Sequence, residues 1–197
     1  MSTRSRRTLI LDTTLRLIEH RGAQGVRLAD VADGAGVSRQ ALYKHFGSRS
    51  KLFAEAMDRA DEVSGLRELA AAVRGAPTGE DELAAFVALQ ADHNPRIAAI
   101  ARAIDEARRA DDGAAEAWAV PFAARRAACT RIVTRLRAEG SLDAGWDLDD
   151  AATLLYVLTS IRTWEDLVVD CGWSADRYRE SILALARRGL LRSGSTA

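Results

Sequence analysis

Apolar side chains recur at three- to four-residue intervals along almost the whole chain, and no window alternates strictly enough for a strand. Leu9, Ile10, Thr13, Leu17 and Ile18 draw such a stripe over residues 6–21, and Gly22 follows as a helix stop. With only three prolines in 197 residues, few positions force an interruption. The expected fold class is therefore all-α, with about nine helices. They are placed at 6–21, from Leu28 through Ala35, 39–45, 49–73, 80–92, 96–109, 114–139, 148–170 and 175–190. Gly36, Gly47-Ser48, the turn cluster from Arg74 to Gly79, Asn94-Pro95, Asp112-Gly113, the stretch from Gly140 to Trp146 and Cys171-Gly172 supply the breaks. Pro121, inside the 114–139 stretch, is expected to kink or end it.

Charge divides the chain although its formal net charge is zero. Through Lys51, ten basic residues stand against four acidic ones, a surplus of +6 that the remainder cancels. A basic head on an acidic body suits a polyanionic partner. Hydrophobic residues at 48% exclude a disordered chain. Cys129 and Cys171 are too few for a disulfide framework and read as reduced core residues. No apolar run approaches the roughly 18–20 residues of a membrane span, and Asp12, Arg16 and Glu19 interrupt any signal-peptide core. The expected location is the cytoplasm, without a membrane partner.

Residues 28–46 read LADVADGAGVSRQALYKHF. Two short helices joined at Gly36-Val37 make a helix-turn-helix. Ala35 is small enough for a close crossing, Gly36 allows the sharp turn, and Val37 fills the gap. Ser38 caps the second helix and leaves amide groups that favour a phosphate. Leu42 and Phe46, one turn apart, face inward. The outward face carries Arg39 and Gln40, suited to purine edges, and Tyr43, Lys44 and His45, suited to phosphates. Such a helix fits lengthwise in a major groove about 12 Å wide.

The head resembles the DNA-binding domain of TetR-type transcriptional regulators over residues 6–60. The resemblance rests on Val31-Ala32, Ala35-Gly36-Val37-Ser38, Leu42-Tyr43-Lys44-His45-Phe46, Ser48-Arg49 and Leu52-Phe53. It implies a homodimer of all-helical chains, with residues 1–60 binding DNA and 61–197 binding an effector and dimerising. It departs from the common family pattern at three places. Arg27 stands where many members cap the second helix with threonine, and is expected to hold a phosphate instead. Gln40-Ala41 stands where Gly-Thr is common, adding a base-reading side chain and a methyl for thymine. Arg49 replaces a lysine and keeps its phosphate contact. The implied partner is double-stranded DNA carrying an inverted repeat.

In the body, family order makes the 148–170 and 175–190 helices the dimer surface, through Leu155, Leu158, Arg162, Tyr178, Ile182 and Leu185. Phe86, His93, Trp118, Phe122, Tyr156 and Trp164 are the candidate lining of a small-molecule pocket, and each serves equally as core. The 49–73 helix is expected to link head and body. No cofactor or metal is expected, since His20, His45 and His93 are not arranged as ligands. Catalytic signatures such as Gly-x-Ser-x-Gly, His-Glu-x-x-His, a phosphate loop and Cys-x-x-Cys are absent from the sequence. An enzyme and a helical protein-interaction module remain the rival readings.

Overall fold

Ser5 opens the first helix, its hydroxyl accepting from the Thr8 amide at 3.2 Å and leaving one fewer orphan donor at the helix start. The computed structural model describes residues 5–22, 25–107 and 112–192. Among them run ten α-helices: α1 (Arg6–Arg21), α2 (Leu28–Gly34), α3 (Arg39–Phe46), α4 (Arg49–Val63), α5 (Leu66–Arg74), α6 (Gly79–Ala107), α7 (Asp112–Ala138), α8 (Leu148–Leu158), α9 (Ile161–Trp164) and α10 (Ala175–Leu190). A π-helical segment, Glu165–Asp170, follows α9. The single extended pairing among these residues joins Leu142 to Leu191. The all-α class is as the sequence implied.

Four boundaries differ from the periodicity. The helix expected over 49–73 ends at Val63, because Gly65 takes φ +67° and turns the chain before α5. The two helices expected around Asn94-Pro95 are one, α6, with Pro95 inside it. Losing one amide donor there is offset by burial on both sides of the proline, with Leu89 and Ala91 before it and Ile97, Ala98 and Ile100 after it. Pro121 likewise lies within α7 and ends nothing. The stretch over 148–170 breaks at Thr159-Ser160, where Ser160 caps α9 by accepting from the Thr163 amide at 3.0 Å.

The chain forms two compact units. The first comprises Met1–Gly65 with Arg96–Pro121. In it α1 packs against α2 and α4, while α3 sits against α2 and α4. Ile10, Ile18, Val31, Leu42, Phe46, Leu52, Phe53 and Met57 are buried there, each stabilising by about 1.5–3 kcal/mol relative to exposure. Asp12 and Arg59 tie α1 to α4 with a 3.0 Å ion pair.

The second unit comprises Leu66–Pro95 with Phe122–Ala197. Its core draws Leu83, Phe86 and Val87 from α6, Ile132, Val133 and Leu136 from α7, Ala151, Ala152 and Leu155 from α8, and Tyr178, Ile182 and Ala186 from α10. One carboxylate is carried into this interior. Glu82 accepts from Arg131 Nε and Nη2 at 3.0 and 2.9 Å and from Arg135 Nη1 at 3.0 Å. Arg135 also holds Glu139, whose other oxygen accepts from the Gly79 amide at the start of α6. A Cβ on Gly79 would meet Glu139 Oε2 at 2.9 Å and Leu136 Cδ2 at 3.1 Å, so a larger residue there would push the Glu139 carboxylate aside.

Candidate DNA interface

The turn between α2 and α3 follows from three residues. Gly36 adopts φ +64°, where a Cβ would be strained although nothing crowds it. The Val37 amide donates to the Ala32 carbonyl at 3.0 Å and closes the turn. Ser38 then caps α3, its hydroxyl accepting from the Ala41 amide at 3.1 Å. Gly34 instead serves the packing of α2 on α1, where a Cβ would stand 3.0 Å from Thr13 Cγ2. Gly34 is a packing glycine that the motif reading passed over.

Leu42 and Phe46 are buried, which fixes the rotation of α3 about its axis. Arg39, Gln40, Tyr43, Lys44 and His45 are consequently exposed, and Ala41 is half-buried among them. Tyr43 shows about half its surface, at 52%. Arg7 of α1 braces the end of this helix, donating to the His45 carbonyl at 3.2 Å, lying 4.8 Å from the Phe46 ring centroid and pairing with Glu55. The sequence reading missed Arg7, because nothing local in α1 reveals contacts with residues 38 and 48 positions away.

Arg27 and Arg49 flank this face. Arg27 is the N-cap residue of α2, and its backbone amide donates to the Asp30 carboxylate at 3.3 Å. Its guanidinium leans on the same carboxylate yet its side chain stays 81% exposed, free to swing to another anion. Arg27 holds the Asp30 carboxyl below the usual carboxylate range, through its side chain first. Asp30 thus supplies one half of a capping pair, accepting from the Arg27 amide, while the Arg27 side chain, which has no acceptor, makes no cap bond to the first turn. Arg49 stacks 4.5 Å from the Phe53 ring centroid, and Ser48 caps α4 by accepting from the Lys51 amide.

In the second unit the expected pocket and dimer residues part ways. Phe86 and His93 are buried, while Phe122, Tyr156 and Trp164 are half-buried. The Trp118 side chain lies outside the described residues. Three of the residues expected at a dimer surface are interior. Leu155, Tyr178 and Ile182 are at most 1% exposed, because α8 and α10 pack on each other and on α6 and α7. Their stripes are consumed within the chain, so they are core positions and not surface ones. Leu158 is half-buried and Arg162 exposed. Leu185 does face outward, at 51%, and with it Val157, at 52%, which the periodicity had not singled out.

A polar group that sequence reading also missed joins four helices here. Arg125 of α7 donates from Nη1 to the Tyr156 carbonyl at 2.9 Å and to Thr159 Oγ1 at 3.4 Å. Its guanidinium lies 3.7 Å from the Tyr156 ring centroid and 5.7 Å from that of Phe122. Asn94 of α6 donates to the Thr159 carbonyl at 3.2 Å. The Tyr178 hydroxyl of α10 is buried without a partner at bonding distance, and burial pushes its phenol up to about 12. Burial likewise pushes the Cys129 thiol up to about 12, an unreactive core group.

A three-helix unit whose last helix bares cationic, amide and aromatic side chains, opening an otherwise helical chain, defines the helix-turn-helix DNA-binding class. Residues 10–56 match the family model for bacterial regulatory proteins of the tetR family. The match runs from within α1 to within α4 and is a likeness of that domain. Among curated relatives, the transcriptional regulator AcrR of Shigella flexneri is 40% identical over 60 residues, covering 30% of this chain and 28% of that protein. The regulator BetI of Brucella canis is 34% identical over 84 residues, covering 43% of this chain and 42% of its own. The likeness thus spans less than half the length of these relatives. A transcriptional regulator from Saccharomonospora viridis, solved with choline, superposes at a TM-score of 0.80 with 20% identity, covering 95% of this chain and 98% of that one. FadR from Bacillus subtilis, solved with stearoyl-CoA, superposes at 0.72 with 16% identity, covering 92% and 97%. These likenesses establish the shared fold.

Proposed function

We infer that the chain is a homodimeric transcriptional repressor that binds an inverted-repeat operator and leaves it when a small molecule binds. Residues 1–60 serve as the DNA-binding domain and 61–197 as the effector-binding and dimerisation domain. The observation that carries this reading is the outward face of α3. Arg39 and Gln40 enter the major groove and read base edges, beside Ala41. Tyr43, Lys44 and His45, with Ser38, Arg27 and Arg49, hold phosphates and set the register. Two copies of α3 address half-sites roughly 34–36 Å apart on one face of the duplex, hence a dimer and a palindrome. Val157 and Leu185 supply its outward apolar contact, with Leu158 and Arg162 beside them. Regulation and not catalysis is the role, and it is exercised in the cytoplasm.

The effector acts by binding the DNA-incompetent state more tightly, and coupling of about 1–3 kcal/mol lowers operator affinity some 5–150-fold. Phe86, His93, Trp118, Phe122, Tyr156 and Trp164 are the side chains proposed around it. Choline and stearoyl-CoA, held by the two solved neighbours, have opposite charges. The fold therefore does not choose the ligand, and the chemistry must be read from this chain's own side chains. The test is fluorescence anisotropy of the purified protein on the duplex flanking its own coding region. Binding that is competed poorly by random duplex and falls steeply with salt supports the reading. Equal affinity for the flanking duplex and random duplex at every salt concentration overturns it.

A further inference from the structure

We propose that Arg125, with Tyr178 and Asn94 beside it, receives the carboxylate of an apolar monocarboxylic acid, which is the effector. The proposal deepens the effector reading above and rests on it for its regulatory meaning. A guanidinium offers five donors in a fixed fork. Arg125 uses Nη1 to hold the Tyr156 carbonyl and Thr159 hydroxyl at the end of α8. Its Nε and Nη2, the edge that grips a carboxylate with two parallel bonds, meet no acceptor among the described residues. The same unit shows what that edge does when an acid is at hand: Arg131 sets Nε and Nη2 on Glu82 Oε1. Arg125 has no such acid among the described residues.

Two further polar groups point the same way. The Tyr178 hydroxyl is buried with only the Asn94 side chain near it, short of good bonding geometry, so it retains capacity to bond a further oxygen. Burial pushes its phenol up, while a weak hydrogen-bonding contact with Asn94 and then the charge of Arg125 act the other way. A donor fork and a hydroxyl donor together fit an anion with two oxygens. A quaternary ammonium fits poorly, because the Tyr156 face it would need is already covered by Arg125 at 3.7 Å. The one free fork edge of Arg125 suits a single carboxylate, the Arg126 guanidinium 5.9 Å from the same Tyr156 ring adds to the positive charge around it, and the Phe122 and Tyr156 rings favour an apolar body.

The experiment titrates the full chain with butyrate, octanoate and benzoate, and with octanamide, benzamide and tetramethylammonium. Thermal shift and calorimetry report binding, while anisotropy on the flanking duplex reports release separately. At least one carboxylate should raise the melting temperature while its amide and the ammonium do not. Arg125→Gln should weaken that carboxylate about tenfold to a hundredfold, the range for a lost charge-assisted bond. Arg125→Lys, which keeps the charge and loses the fork, should fall between. Tyr178→Phe should leave the ligand-free melting temperature unchanged or raised and still weaken the carboxylate, so it carries the test if Arg125→Gln fails to fold. Amides acting as well as acids, no shift with any of the three carboxylates, or wild-type affinity in Tyr178→Phe and Arg125→Lys overturns the proposal. Carboxylate binding without DNA binding would instead sink the regulator and keep the site, whereas DNA binding without carboxylate binding would do the reverse.

Discussion

Leu155 and Leu185 lie on adjoining helices of the second unit, both in apolar stripes, yet the fold assigns them opposite tasks. Leu155 is wholly buried, so Leu155→Ala removes a packed side chain and should cost about 2–5 kcal/mol. For a chain of this size that is a melting-temperature loss of roughly 5–20 °C. Leu185 is 51% exposed, so Leu185→Glu forfeits about half the burial of one leucine, about 1 kcal/mol. That is about 2–4 °C in the monomer. If Leu185 is a dimer contact, however, the new carboxylate is buried against its own copy across the two-fold axis, and the dimer should dissociate. Circular dichroism melts measure the first quantity and sedimentation velocity the second. The expected pattern is a destabilised dimer for Leu155→Ala and a well-folded monomer, with operator binding lost, for Leu185→Glu. A dimer of unchanged dissociation constant in Leu185→Glu would refute the outward assignment. A melting temperature within 2 °C of wild type in Leu155→Ala would refute the core one, a threshold well under the smallest loss expected for such a cavity.

Lys44→Ala should weaken operator and random duplex alike and lower the salt slope by about one, whereas Gln40→Ala should cost about 1–3 kcal/mol at one base pair; anisotropy over a set of single-base operator variants separates the two. Gly36→Ala should cost about 1–2 kcal/mol in a chemical melt, purely from the positive φ, since nothing stands within 4 Å of the added methyl group. Glu139 has its carboxyl held below the usual range, first by the Gly79 amide and then by Arg135, so its folded value lies under its unfolded one. Its stabilisation is present above about pH 4.5, the unfolded range, and is lost as pH falls through the lower folded value. Glu139→Gln should therefore be the less stable protein at neutral pH and converge with wild type in acid; a gap that persists undiminished at pH 3 would count against the linkage.

Much of the DNA-facing helix was legible because its constraints are local. Gly36, Val37, Ser38, Leu42 and Phe46 each act on neighbours within a few residues, and together they set which side of α3 looks outward. Arg7 and Gly34 escaped notice because their reasons lie on other helices: the His45 carbonyl for one, the Thr13 methyl group for the other. The polar group around Arg125 was illegible for the same cause. Its members stand at positions 94, 125, 156, 159 and 178, and nothing in a linear pattern brings them together.

Helix identity, the N-terminal caps and the local turn of the motif belong to the sequence alone, since they depend on propensity and on hydrogen bonds spanning three or four residues. Periodicity also marks which residues of a helix are apolar. It cannot say whether an apolar stripe meets its own chain or another one, because both bury the same side chains at the same spacing. That choice was made in three dimensions: α6, α7, α8 and α10 close over Leu155, Tyr178 and Ile182 and leave Val157 and Leu185 to water. The passage of α6 through Pro95 is likewise a tertiary outcome, since burial before and after the proline outweighs a local penalty of about 3 kcal/mol.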